Sequence, residues 1–270
     1  MSSLCYRKEA KLKRRRKTYK KKLLIHRIKI LSKLSLILST FIFLSIFLKD
    51  LFKIKEIKID SNIPFYKKED YIKAGNIRPG QGVLFLDIDK VKKNIEEKLP
   101  FAKVSSVKKK LPDKLILDIK KIDNFAAFRW DSNFVITDSS LKVLEIKDSV
   151  DRDINLIEGL EVLDPKPGFK IKIKDDNKRK LIESLLNSLN ESSLNSLVKV
   201  DTSEPENIKL IYEDRIFVKF GSTKDLERKV RALSEVLKNK LKINEKGDLD
   251  LTLFSENNRL YFMPIKEEKK

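Results

Sequence analysis

The chain has 270 residues, a formal net charge of +20, one cysteine and one histidine. Because Cys5 and His26 both lie near the N-terminus, the rest of the chain has no thiol or imidazole for a Ser-His-Asp or Cys-His nucleophile, a His-based metal site or a disulfide. The seven glycines form neither a Walker loop nor a Gly-x-Gly-x-x-Gly pattern, so a nucleotide site is disfavoured and paired carboxylates are the catalytic arrangement still open.

Residues 1–27 are predicted to be a basic cytoplasmic tail. Residues 1–33 contain fourteen Lys or Arg and one Glu, and therefore carry +13 of the +20. Two interpretations of this charge stay open. It is either an orientation signal with no further role, which we favour, or it attracts anionic lipid or nucleic acid. A nucleic-acid binder working through the tail is therefore one rival function.

Residues 28–48 are predicted to be a transmembrane helix. Leu34–Leu48 is a run of fifteen residues without a charge, which would cover only ~22 Å of a hydrocarbon core ~30 Å thick. Lys33 can extend its ammonium to the headgroups, so the apolar span reaches back to Ile28. The long basic region disfavours a cleaved signal peptide, and the absence of a polar face disfavours a buried core helix. The charge upstream predicts that residues 50–270 lie outside the cytoplasm.

Residues 52–122 are predicted to fold as β-α-α-β-β. Alternation around Ile57 and Ile59 indicates the first strand, Lys67–Asn76 a short helix, and the turn Leu111–Lys114 a closing hairpin. The second helix has an apolar stripe, formed by Ile88, Val91, Ile95 and Leu99. Asp87 or Asp89 is expected to cap this helix, although two acids could also form a catalytic pair. The glycines of residues 78–82 could cradle an anion, but a plain turn is favoured.

This unit resembles a POTRA domain. The resemblance is carried by Pro100–Val104, by Val107–Leu115 and by Asn124–Ala126. A POTRA unit that follows a basic tail and a single membrane anchor is similar to the FtsQ/DivIB family of bacterial cell-division proteins. The resemblance implies a second, β-rich domain after the first.

Residues 123–265 agree with a β-rich domain with two helices. Ala127–Trp130 and Phe134–Asp138 resemble the opening hairpin of that domain. The best match in the chain is Phe220–Ser222 leading into Lys229–Val230 and then Leu233 and Val236–Leu237. Two helical stripes separate the strands, one of Leu181, Ile182, Leu185, Leu186 and Leu189, the other of Leu226, Val230, Leu233 and Leu237. Ser222 and Asp225 are expected to start the second helix as a capping box. Leu141 stands where the family usually has glycine, so we expect that turn to avoid a positive φ.

The fold class is therefore α+β, with residues 266–270 as a charged tail. The resemblance implies a bitopic scaffold that links and recruits septal proteins in the plasma membrane, with its N-terminus in the cytoplasm, its bulk outside and enrichment at the division septum. We expect no catalysis, cofactor, metal, small-molecule substrate or specific nucleic acid. An extracytoplasmic enzyme acting on cell-wall glycan and a POTRA-type assembly factor are two further rival functions.

The last strand is the candidate partner-binding site. Leu249, Leu251 and Leu253 alternate with polar residues, Ser255–Asn258 turns the chain, and Arg259–Met263 is expected to return as an edge strand ending at Pro264. Leu260 and Phe262 should then face the core, and Tyr261 should face outward. The simpler hypothesis is an edge that charge merely protects. In the resembled family a small coiled-coil division protein adds a strand here, which implies that Arg259, Leu260, Tyr261 and Phe262 bind the partner.

Overall fold

The structure is a computed structural model that describes residues 27, 29–151, 154–194 and 197–265. The predicted charged tail, residues 266–270, and the predicted basic tail, apart from Arg27, lie outside the described residues. The chain divides into two compact units. The first comprises Met1–Ile57, Pro79–Leu86 and Lys109–Leu115, and the second comprises Lys58–Arg78, Asp87–Lys108 and Ile116–Lys270.

The first unit contains helix α1, Lys29–Leu51. In the described part of the chain this one helix is long and apolar enough to cross a membrane, and its apolar side chains are exposed. Two hydroxyl groups in its middle bond within the helix, with Ser39 Oγ donating to the Leu36 carbonyl at 2.9 Å and Thr40 Oγ1 to the Ile37 carbonyl at 2.8 Å. Polar groups satisfied in this way suit a hydrocarbon environment, where no water is present to bond them. The helix continues three residues past the predicted end at Leu48.

The elements after α1 follow the predicted β-α-α-β-β order. They are β1 (Glu56–Ser61), α2 (Lys68–Ala74), α3 (Ile88–Lys98), β2 (Ala102–Lys110) and β3 (Lys114–Lys121), and the three strands form a sheet in the order β1-β3-β2. The predicted stripe of α3 buries Val91 and Ile95. Asp87 caps α3, since its carboxylate accepts a hydrogen bond from the Lys90 N–H at 3.1 Å.

A nine-stranded mixed sheet dominates the second unit. Its strands are β4 Ala126–Trp130, β5 Asn133–Thr137, β6 Val143–Lys147, β7 Asn155–Glu158, β10 Leu197–Asp201, β11 Ile208–Tyr212, β12 Ile216–Gly221, β13 Gly247–Asp250 and β14 Tyr261–Pro264. Their order across the sheet is β14-β13-β12-β11-β10-β7-β4-β5-β6. A separate two-stranded sheet pairs β8 (Val162–Leu163) with β9 (Lys172–Ile173). The pairs β4·β7, β7·β10 and β12·β13 are parallel.

Two helices connect parallel strands of this sheet. Helix α4 (Asp176–Glu191) lies between β7 and β10, and helix α5 (Leu226–Glu235) lies between β12 and β13 and continues as a π-helical turn, Val236–Lys240. Both predicted stripes are buried in one core with the strands; its helical members are Ile182, Leu185, Leu186, Leu189, Val230, Leu233 and Leu237. The predicted α+β class is confirmed. A one-turn helix, α6 (Phe254–Asn257), is present in addition to the two helices predicted for residues 123–265.

Two local predictions were wrong. Leu141 has a φ of +66°, although no glycine is present. The Asp138 carboxylate organises this turn by accepting from the N–H groups of Ser140 and Lys142 at 2.9 and 2.8 Å, and the Leu141 side chain is fully buried. These contacts offset the steric cost of the left-handed conformation. The capping box is also absent, because Asp225 is itself the N-cap with a φ of +53° and no side-chain cap bond.

Candidate functional site

The predicted partner-binding residues lie at one edge of the nine-stranded sheet. Strand β14 is the end member of the described strand order and pairs antiparallel with β13 alone. It comprises Tyr261–Pro264, so the predicted strand Arg259–Met263 begins two residues too early. The reason is local: the Arg259 N–H donates to the Asn257 side-chain oxygen at 3.0 Å, which takes it out of the ladder.

Side chains of this segment alternate between the core and solvent as predicted. Leu260 and Phe262 are partly buried against the main core. Tyr261 and Met263 are 46% and 50% exposed. The Tyr261 hydroxyl accepts a hydrogen bond from the Asn257 side-chain amide at 3.2 Å, so the aromatic ring is held in place on an exposed surface.

The free backbone groups of β14 can be assigned from its register. Ile265 N–H donates to the Lys246 carbonyl at 2.9 Å, and hydrogen-bonded pairs alternate with non-bonded pairs in an antiparallel ladder. The Met263–Asp248 and Tyr261–Asp250 pairs are therefore the bonded ones. Phe262 directs its N–H and C=O away from β13, as Pro264 does with its C=O. Among the described residues, these three groups form the unpaired edge of β14.

Tight packing holds β14 in position. The buried Phe254 attaches α6 to the core just before the strand. Gly247 of β13 faces β14 so closely that a Cβ there would lie 2.3 Å from the Met263 carbonyl oxygen and 2.8 Å from the Phe262 ring. The edge is thus a fixed strand with a defined face.

Positive charge lies beside the exposed ring. Arg259 is exposed, and within the described residues its guanidinium has no carboxylate within 4 Å. A guanidinium without a partner can bind a carboxylate through two parallel hydrogen bonds. The segment therefore offers a guanidinium for an acidic residue, the amphipathic Tyr261 ring and three free backbone groups. These are the components of strand addition with side-chain anchoring.

Lys229 is a buried charge that the sequence interpretation missed. Its side chain is 1% exposed, and its Nζ donates to the carbonyls of Phe220 and Ser222 at 3.0 and 2.9 Å. Burial lowers the pKa of the Lys229 ammonium. The spacing of the sequence could have indicated this burial, because Lys229 lies three residues after Leu226 and four before Leu233, on the apolar face of α5. These hydrogen bonds connect α5 to the end of β12, and β12 is separated from β14 by β13 in the sheet.

Asp87, one of the two acids considered as a catalytic pair, caps α3. The pKa of Asp87 is lowered chiefly by the backbone N–H of Lys90, as expected of a helix cap. Across residues 27, 29–151, 154–194 and 197–265, no group of three or more His, Cys, Asp or Glu side chains is placed to hold a metal ion.

Comparison with known proteins identifies the arrangement. Residues 52–121 match the POTRA domain of FtsQ type. The cell division protein DivIB of Clostridium tetani is 27% identical over 194 residues, which cover 71% of this chain and 71% of that protein. DivIB of Clostridium botulinum strain Hall is 29% identical over 212 residues, covering 77% and 80%.

The chain is similar to the FtsQ/DivIB family over most of its length. DivIB of Clostridium acetobutylicum, 26% identical over 204 residues, extends the same relationship. The chain accordingly has a POTRA domain of FtsQ type and a β-rich region, and its N-terminal apolar helix agrees with a single-pass membrane protein. The similarity to the DivIB proteins covers 71–77% of the chain, whereas β14 is a candidate site on structural grounds.

Proposed function

We propose that the protein is a bitopic membrane scaffold that links and recruits other septal proteins without catalysing a reaction. The exposed edge of β14 carries this proposal, because Phe262 and Pro264 present free backbone groups beside the exposed Tyr261 ring. A partner strand pairing there would extend the sheet, and Arg259 would contact an acidic residue of the partner. The expected partner is a small coiled-coil division protein of the same membrane.

The proposal includes a topology and a domain division. Residues 1–27 lie in the cytoplasm, residues 28–48 span the plasma membrane, and the bulk lies outside, enriched at the division septum. Residues 52–122 form the POTRA domain, residues 123–265 the β domain and residues 266–270 a charged tail. The excess of Lys and Arg before the helix supports this orientation. A reporter active only outside the cytoplasm should work after Lys270 and fail at Lys20.

The binding site is tested with single substitutions in residues 50–270. Tyr261→Ala and Arg259→Glu should each weaken capture of the coiled-coil partner at least about tenfold, as expected for an aromatic or charged interface anchor. Phe217→Ala is the matched control, because Phe217 is 47% exposed in an interior strand of the same sheet. All three variants should keep the parent melting temperature.

The outcome separates docking from a protected edge. If Tyr261→Ala and Arg259→Glu fold normally and still capture every partner of the parent, β14 is only a protected edge. Proximity labelling in dividing cells tests the wider role. Enrichment of septal proteins supports the scaffold, and a diffuse set of glycan enzymes contradicts it.

A further inference from the structure

Two loops of the first unit expose large apolar side chains. Phe85 is 92% exposed and Leu84 45% exposed, although their neighbours Val83 and Leu86 are buried. Leu111, at the turn between β2 and β3, is 55% exposed. We call Leu84, Phe85 and Leu111 the apolar patch. Buried neighbours fix the backbone of the first loop, so its exposed side chains have a defined direction.

Hydrogen bonds attach both loops to the segment that leaves α1. The Val83 N–H donates to the Phe52 carbonyl at 2.8 Å, one residue after the helix ends at Leu51. The Lys55 N–H donates to the Asp113 carbonyl at 2.9 Å, which holds the second loop. Lys109 joins the two loops, since its Nζ donates to the Leu84 carbonyl at 2.9 Å.

This attachment sets the depth of the patch relative to a bilayer. The uncharged run of α1 ends at Leu48, and Phe52 is four residues further, or ~6 Å along a helix axis. The headgroup layer on each side of the hydrocarbon core is roughly 5–8 Å thick. Val83 therefore lies at headgroup level, and Phe85, two residues on, is within about 7 Å of it.

The charges around the patch favour an anionic surface. Each acid nearby has a lysine partner: Asp50 pairs with Lys53, Glu56 with Lys114, and Asp113 with Lys55. Among the residues that the structure describes, Lys49, Lys109 and Lys110 have no carboxylate within 4 Å. Three uncompensated ammonium groups beside exposed apolar side chains are the combination that binds anionic lipid.

We propose that the apolar patch inserts into the headgroup boundary of the anionic bilayer that holds α1, with Lys49, Lys109 and Lys110 at the lipid phosphates. The inference rests on the proposed membrane-spanning role of α1. It adds a second contact between the chain and the membrane, because the two loops that carry the apolar patch bind the bilayer surface in addition to α1.

The test uses the full chain in nanodiscs whose anionic lipids carry brominated acyl chains, which quench nearby tryptophan. Trp130→Phe removes the native tryptophan, and one new tryptophan is then placed at a time. Phe41→Trp in the middle of α1 reports on insertion of the anchor. Phe85→Trp reports on the patch, and Ile243→Trp is the matched control because Ile243 is 84% exposed in a loop of the second unit.

The expected result is loss of emission from Phe41→Trp, loss of emission with a blue shift from Phe85→Trp, and no change from Ile243→Trp. Adding Lys109→Gln and Lys110→Gln should reduce the loss from Phe85→Trp. If Phe41→Trp is not quenched, the anchor itself is wrong. If Phe41→Trp is quenched while Phe85→Trp behaves like Ile243→Trp, the anchor stands and the patch does not contact lipid.

Discussion

The left-handed backbone conformation of Leu141 predicts how two substitutions at this position change the free energy of unfolding. Leu141 combines a φ of +66° with complete burial in the main core. Substitution by Ala removes the buried side chain but keeps a Cβ in a left-handed conformation. Substitution by Gly removes the same side chain and also releases the backbone strain. Comparing the two variants therefore isolates the strain from the burial.

The magnitudes follow from these two effects. Leu141→Ala should cost about 2.7–5 kcal/mol in the free energy of unfolding, the range for a leucine removed from a packed core. At an ordinary position, Gly is about 0.5–1 kcal/mol less stable than Ala. Here the left-handed conformation costs a residue with a Cβ roughly 1–2 kcal/mol. Leu141→Gly should therefore be as stable as Leu141→Ala or more stable by up to about 1.5 kcal/mol.

Leu185 is the matched control, because it is fully buried in the same core but lies inside α4. Leu185→Gly should be about 1 kcal/mol less stable than Leu185→Ala, the usual order in a helix. Urea unfolding of residues 50–270, followed by Trp130 fluorescence, measures all four variants. If Gly is the worse substitution at both positions by the same amount, the strain at Leu141 has no energetic consequence and the reasoning fails.

Three further predictions concern charged groups. Lys229→Met should destabilise residues 50–270 by roughly 2–4 kcal/mol, because the carbonyls of Phe220 and Ser222 lose their donor. An unchanged free energy of unfolding in urea would contradict this. The pKa of Asp201 is lowered chiefly by the backbone N–H of Ser203, so its contribution to stability is present above the ordinary aspartate pKa and is lost as the pH falls through the lowered value. When the pH is lowered from about 7 to about 3, the free energy of unfolding should therefore fall less for Asp201→Asn than for the parent. An equal fall in both proteins would refute the assignment. Asp87→Asn should leave both folding and division intact, since Asn also caps helices well; loss of growth with normal folding would point to carboxylate chemistry.

Local sequence patterns predicted most helices and the first three strands. The stripes of α3, α4 and α5 repeat every three or four residues, so each helix and its buried face can be predicted without tertiary information. The β-α-α-β-β unit is likewise local, because each element is separated from the next by a turn or a helix cap. Asp87 caps α3 as expected, since capping depends on a few neighbouring atoms.

The nine-stranded order could not be obtained in this way. β4 pairs with β7 and β7 with β10, so neighbours in the sheet are separated by long segments of the chain. Alternation shows which side chains share a face but does not show which strand lies beside which. The same limit applies to Lys229, whose charge predicts exposure until the carbonyls of Phe220 and Ser222 are placed beside it.

The edge position of the last strand could be predicted from the sequence, whereas its bounds depend on side-chain contacts. β13 joins the sheet by a crossover through α5, and its far side would be open without the returning segment. That segment covers it with four residues only, Tyr261–Pro264. Arg259 and Leu260 are excluded from the strand because Asn257 bonds the Arg259 backbone, a detail that alternation of apolar residues does not contain.

The shortness of β14 decides what kind of partner contact can be stable. Phe262 offers its N–H and C=O, and Pro264 offers its C=O, so an added strand gains three backbone hydrogen bonds within β14. At a net ~0.5–1.5 kcal/mol each they contribute roughly 2–4 kcal/mol, which corresponds to no better than about millimolar affinity. Because backbone pairing alone is this weak, a stable complex requires side-chain anchors. Tyr261 and Arg259 are the exposed candidates beside the free edge, which is why substituting either one should weaken capture while leaving the strand in place.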